Sequence, residues 1–155
     1  MTLSEKAENL LNKPYFIIDI LPRKVEEKSK GQYFEIEEYF LANHSEKVFR
    51  NFAELLLKIN CYYDFDVCYY EFESSDNKSD QWILNPPPKD IYNKISSCEK
   101  EKRYINIIID NNTMIAINGD FLHLTIYNPN KELQSLIVEL CKGYGLYFRK
   151  EGATQ

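Results

Sequence analysis

Tyr104–Tyr127 reads YINIIIDNNTMIAINGDFLHLTIY, three runs of β-prone residues broken by two turn signals. Asn118-Gly119 is the stronger of the two, because a type I′ hairpin turn needs positive φ at both central residues and Asn-Gly supplies it. A two-residue loop there predicts that Ile117 faces Asp120, Ala116 faces Phe121, Ile115 faces Leu122 and Met114 faces His123. Ile115, Leu122, Leu124 and Ile126 then share one face, expected against the core. Asn111-Asn112 is the other turn, feeding in the run Ile105–Ile109. The stretch reads as a three-stranded antiparallel meander that the remaining elements pack on.

Working outward, Leu133, Leu136, Ile137 and Leu140 form a helical stripe after Asn128-Pro129, read as an N-cap followed by proline at N1. Gly143 is expected to end that helix, and Leu146–Arg149 to form a closing strand. On the other side, Asn85 with Pro86, Pro87 and Pro88 opens a helix on Ile91, Ile95 and Cys98. Trp82–Leu84 is a brief strand. Residues 74–80 (SSDNKSD) are a polar loop. Tyr62–Glu73 alternates: Tyr63, Phe65, Val67 and Tyr69 point inward, while Tyr62, Asp64, Asp66, Cys68 and Tyr70 face outward.

The plainest helix precedes it. Val48, Phe49, Phe52, Leu55, Leu56 and Ile59 fall on one stripe, with Asn43 or Ser45 as N-cap and Glu46 completing a capping box with Asn43. Gln32–Leu41 (QYFEIEEYFL) is a short helix or an irregular acidic-aromatic segment, and residues 22–31 are a charged loop. Tyr15–Leu21 is a buried strand, so Asp19 within it must lie at an edge or be hydrogen-bonded. Residues 3–12 form a short helix on Ala7, Leu10 and Leu11, free to fray within residues 1–13. The sum is α+β: a mixed, mostly antiparallel sheet packed by three or four helices in a single domain spanning 1–155, with residues 152–155 a disordered tail.

A chain of 155 residues with 44% hydrophobic and 28% charged content can bury a core without metal or disulfides. The four cysteines, Cys61, Cys68, Cys98 and Cys141, lack zinc spacing and sit in or beside apolar runs, which predicts buried reduced thiols. No run approaches the roughly 18 apolar residues of a membrane span, and residues 1–13 lack the apolar core of a secretory signal. A cytoplasmic location is expected. Charge is uneven: residues 26–80 carry 13 acidic against 6 basic side chains, a balance of −7, while the rest carry 11 against 13, a balance of +2. An acidic lobe disfavours nucleic acid and favours a basic partner.

Parts for catalysis are missing. His44 stands at a helix start and His123 on a strand face, and neither belongs to a nucleophile motif. Asp64-x-Asp66 and Glu71-x-Glu73 space like paired ligands, but no calcium loop or histidine accompanies them. Gly143-x-Gly145 follows a helix instead of opening one, so it is no phosphate cradle. No catalytic residue, metal or cofactor is expected. The acidic, tyrosine-rich surface from Gln32 to Asp76 remains, because tyrosines anchor interfaces and carboxylates steer basic partners.

The phrases YFIIDILP (Tyr15–Pro22), GQYFEIEEYFL (Gly31–Leu41), NFAELLLKINCYYDF (Asn51–Phe65), GDFLHLTIYNP (Gly119–Pro129) and GLYFRKE (Gly145–Glu151) together resemble bacterial immunity proteins of contact-dependent growth inhibition systems, in particular those paired with ribonuclease toxins. The resemblance implies a non-catalytic cytosolic protein that binds and occludes the nuclease domain of a cognate toxin. The residues expected at that contact on physical grounds are Asp64, Asp66, Glu71 and Glu73 as charge partners, with Tyr62 and Tyr70 as anchors. Glu35, Glu37 and Glu38 form a second acidic patch. Two other classes stay open: an adaptor or oligomeric interaction protein using the same face, and an enzyme pairing His123 with a carboxylate brought near by folding. The enzyme predicts a concave pocket that holds His123 beside an acid.

Overall fold

The meander exists, but its second turn is wider than Asn-Gly implies. The computed structural model describes residues 1–71 and 81–152. In chain order the elements are α1 (Leu3–Leu10), β1 (Tyr15–Asp19), α2 (Tyr33–Asn43), α3 (Ser45–Asn60), β2 (Phe65–Glu71), β3 (Trp82–Leu84), α4 (Pro88–Ser96), β4 (Arg103–Ile109), β5 (Thr113–Asn118), β6 (His123–Tyr127), α5 (Lys131–Lys142) and β7 (Tyr147–Gly152). Glu73, the loop expected at 74–80 and the tail beyond Gly152 lie outside the described residues, while Gly152 itself closes β7. The seven strands form one open sheet in the order β3-β2-β4-β5-β6-β1-β7, with each neighbouring pair antiparallel. The fold is α+β, as expected. Gln32–Leu41 resolves as part of helix α2, which brings the helices to five among the described residues.

Around the second turn, Ile117 pairs with Leu124, Ala116 with Thr125, Ile115 with Ile126 and Met114 with Tyr127. This is a four-residue shift from the tight hairpin expected at Asn118-Gly119. An even shift leaves side-chain parity unchanged, so Ile115, Leu122, Leu124 and Ile126 are still buried together. Gly119 has no positive φ. A Cβ there would sit 2.5 Å from the Cys98 carbonyl oxygen, so close approach of the α4–β4 connection is what requires glycine. Left-handed backbone appears instead in the first turn, at Asp110 (φ 51°) and Asn111 (φ 60°), where the Asn112 N–H donates to the Ile109 carbonyl.

Helices α3, α4 and α5 cover one sheet face. Phe49, Phe52, Leu55, Leu56 and Ile59 of α3, Ile91 and Ile95 of α4, and Leu133 and Ile137 of α5 meet Phe65, Val67, Ile105, Ile107, Ile115, Leu124 and Ile126 in one core. Helix α1 caps part of the opposite face, setting Ala7 and Leu10 on Ile108 and Met114, with Trp82 and Tyr127 beside them. It is held at its start by a capping box between Thr2 and Glu5. Leu11, expected on its stripe, is exposed.

Two expected N-caps move. Asn43 is still inside α2 and donates to the Tyr39 carbonyl, so it cannot cap α3; His44 takes the N-cap position with no side-chain cap bond. Asn128 is left-handed (φ 59°) and donates to the Asn112 carbonyl, tying two turns together. The N-cap of α5 is therefore Asn130, which accepts from the Leu133 N–H at 2.8 Å. At the other end Gly143 ends α5 as expected, as its C-cap with right-handed φ, and Gly145 (φ 66°) makes the reversal into β7. Cys68, Cys98 and Cys141 are buried, but Cys61 is exposed because it lies just past the end of α3.

Candidate functional site

Strand β1 is flanked by β6 and β7, so Asp19 is not at a sheet edge. It is paired instead. Arg149 Nη1 donates to Asp19 Oδ2 at 2.7 Å and to the Leu21 carbonyl at 2.8 Å, while its Nε donates to Glu151. Asp19, Arg149 and Glu151 are each at least four-fifths buried at the side chain. Burial alone would lower the Arg149 pKa, but the two carboxylates more than offset it and the guanidinium stays charged. The remaining Asp19 oxygen accepts from the Ile20 N–H at 2.7 Å.

His123 starts β6 directly opposite Asp19. Sequence pairing with Met114 was expected, and the four-residue shift replaces it. The imidazole stacks on Phe121 at 5.3 Å. Burial pushes its pKa below 6.5, with Asp19 and Glu37 pulling the other way. None of the hydrogen bonds among the described residues joins His123 to an acid.

At this end of the sheet, where β1 stops and β6 and β7 begin, lies a cleft of about 630 Å³. Helix α2 supplies one wall through Tyr33, Ile36, Glu37 and Phe40, and the first half of α3 supplies another through Lys47, Val48 and Asn51. Leu21, Val25, Leu122, His123, Tyr144 and Leu146 complete it. Tyr33 Oη donates to Glu37 Oε2 at 2.8 Å, and burial together with that carboxylate raises the phenol to about 12, so it remains a donor. His44 lies at the rim, packed on Tyr39 and Phe40. A volume of this size is in the range of small-ligand sites.

The expected contact residues do not form one patch. Tyr62 (71% exposed) and Asp64 are exposed, but they precede β2 in the turn after α3. Within β2, Asp66 and Tyr70 are half-buried and Cys68 is fully buried beside Trp82, so this face is not the open acidic display expected. The reason is tertiary: β3 pairs alongside β2 and sets Trp82 beside Cys68. Glu71 ends β2 opposite Arg103, and Glu73 lies outside the described residues. The second patch divides as well. Glu37 turns into the cleft, while Glu35 and Glu38 remain exposed.

Helix α2 is the unexpected feature. It has no buried residue, and Phe34 (71%), Ile36 (51%) and Tyr39 (58%) are exposed on it among Glu35 and Glu38. The sequence signal was present, since an acidic-aromatic segment without a clean apolar stripe has no face to bury. Among the described residues no helix is long and apolar enough to cross a membrane, and no group of three or more His, Cys, Asp or Glu is arranged to hold a metal. Comparison with protein-family models, with curated proteins and with solved structures gives no match for this chain.

Proposed function

We propose that this protein is a non-catalytic inhibitor of the immunity type, which captures a basic nuclease domain on the outer surface of α2. The observation that carries this reading is the exposure of Phe34 and Tyr39 beside Glu35 and Glu38. Leaving each large apolar side chain in water forgoes about 1.5–3 kcal/mol, which a docked partner recovers. Aromatic anchors amid carboxylates match a partner whose phosphate-binding surface is basic. The reading agrees with the sequence resemblance and with the acid excess of residues 26–80. Tyr62 and Asp64 belong to a different surface: they follow the far end of the 16-residue α3, about 24 Å from its start at ~1.5 Å per residue.

The test is calorimetry against a basic RNase toxin domain encoded beside this chain, at two salt concentrations. Nanomolar binding with loss of RNase activity is expected, weakened roughly thirtyfold by Phe34→Ala, the scale of a central aromatic anchor, and unaffected by Asp64→Asn. A folded toxin domain that fails to bind ends the proposal. Binding lost with Asp64→Asn but kept with Phe34→Ala moves the contact to the other surface.

A second reading, an enzyme using His123, is favoured by the cleft that holds His123 with Asp19 and Glu37. Weighing against it, no hydrogen bond among the described residues joins His123 to either acid, and Asp19 is paired with Arg149. In the inhibitor, His123→Gln leaves RNase inhibition intact.

A further inference from the structure

We propose that the cleft under α2 binds an organic cation, a primary amine or guanidinium carried on an apolar body. Arg149 is shared between Asp19 and Glu151, so that cluster keeps one net negative charge beside the cleft. Glu37 adds a second, and Lys47 is the one lysine or arginine among the described lining residues. The site therefore stays negative even if Lys47 reaches it. His123 is neutral near pH 7, because burial lowers its pKa, and a neutral imidazole offers one nitrogen lone pair as an acceptor. Anions meet Asp19 and Glu37 and are repelled.

Shape supplies the rest. Leu21, Ile36, Phe40, Val48 and Leu122 make apolar walls that accept a hydrocarbon or aromatic body, while the acceptors gather at the β1–β6 end. Glu37 is fixed by the Tyr33 hydroxyl and retains acceptor capacity, since a carboxylate offers about four lone-pair sites. A cation can bond Glu37 without displacing Tyr33. This inference stands on the cleft and does not require the inhibitor reading; the same chemistry also describes a lysine or arginine side chain inserted by a docked basic protein.

The experiment titrates isotope-labelled full-length protein with tryptamine and, separately, with indole-3-propionate, which carries a similar ring and the opposite charge, followed by NMR. Tryptamine is expected to shift the resonances of His123, Leu122 and Phe40, with affinity falling about tenfold or more in Glu37→Gln, the worth of one charge-assisted hydrogen bond. Tyr33→Phe, which leaves the carboxylate, retains most of the binding. Equal shifts from indole-3-propionate, or tryptamine shifts that avoid these residues, overturn the proposal. Unchanged tryptamine affinity in Glu37→Gln overturns it as well. Where a basic RNase domain binds the protein, Glu37→Gln separates the sources: weaker capture identifies the occupant as a side chain of that domain, and unchanged capture identifies it as a free amine.

Discussion

Arg149 ties separate parts of the chain together, because one guanidinium satisfies two carboxylates and a carbonyl from the segment after β1. Removing one partner of a largely buried pair leaves the others uncompensated, which costs far more than the pair contributes when intact. Arg149→Ala is expected to destabilise the fold by about 3 kcal/mol in urea unfolding, and the double variant with Asp19→Asn by less than the two single losses added together. Strict additivity would remove the coupling. His123 makes a pH-dependent contribution of the opposite origin. The unfolded histidine takes up a proton at about pH 6.5, while the folded one does so only at lower pH because burial disfavours the cation. Between the two values the unfolded state holds more protons, so stability falls as pH drops through that window and levels off below the folded pKa. His123→Gln is expected to flatten this slope, measured as the difference between wild-type and variant unfolding free energies from pH 7.5 downward. From its place in an apolar strand, Asp19 was legible as a carboxylate either at a sheet edge or hydrogen-bonded, and the structure chose the second. Its partner was not, because Arg149 is 130 residues away and no local pattern reaches that far.

Among the elements, the β5–β6 connection shows how a strong local signal is overruled. The Asn118 side chain accepts from the Asp120 N–H and its carbonyl from the Phe121 N–H, while the Gly119 N–H donates to the Arg103 carbonyl. Gly119 thus serves contact with the α4–β4 segment, where the Cys98 thiol also donates to the Arg103 carbonyl at 3.0 Å. Gly119→Ala is expected to cost about 1–3 kcal/mol, as insertion of a methyl into a packed site does. Asn111→Gly, at a left-handed position that glycine adopts freely, is expected to change stability by less than about 1 kcal/mol. Thermal unfolding of both variants checks the pair, and equal losses would refute the close-approach account. The helices divide the same way. The stripe of α3 was readable because a 3.6-residue apolar period admits one buried face. Helix α2 was not decidable, since Phe34, Ile36 and Tyr39 find no core at all.

For the whole molecule, the chain's beginning and its final strand are neighbours: β1 sits between β6 and β7, and Phe16 stacks on Phe148 at 4.9 Å. Ending the chain after Leu146 would strip β1 of one partner, turn it into an edge and leave Asp19 without Arg149. The truncated protein is expected to lose more than about 3 kcal/mol, or to lose cooperative unfolding altogether. A urea midpoint equal to that of the full chain would contradict this assembly.

What the sequence determined by itself is what short-range periodicity can express: the α+β class, the meander, and the core stripes of α3, α4 and α5. Even a hairpin misplaced by four residues kept the right face inward, because side-chain direction depends only on parity. Tertiary structure decided the rest. It chose which acidic face stays open, since β3 pairs along β2 with Trp82 beside Cys68, while no residue of α2 is buried. It also built the cleft, bringing together Asp19, Glu37, His123 and Leu146 from four separate stretches of chain. Such a meeting depends on which elements pack as neighbours, and strand order is set by the summed burial of the whole core rather than by any stretch within it.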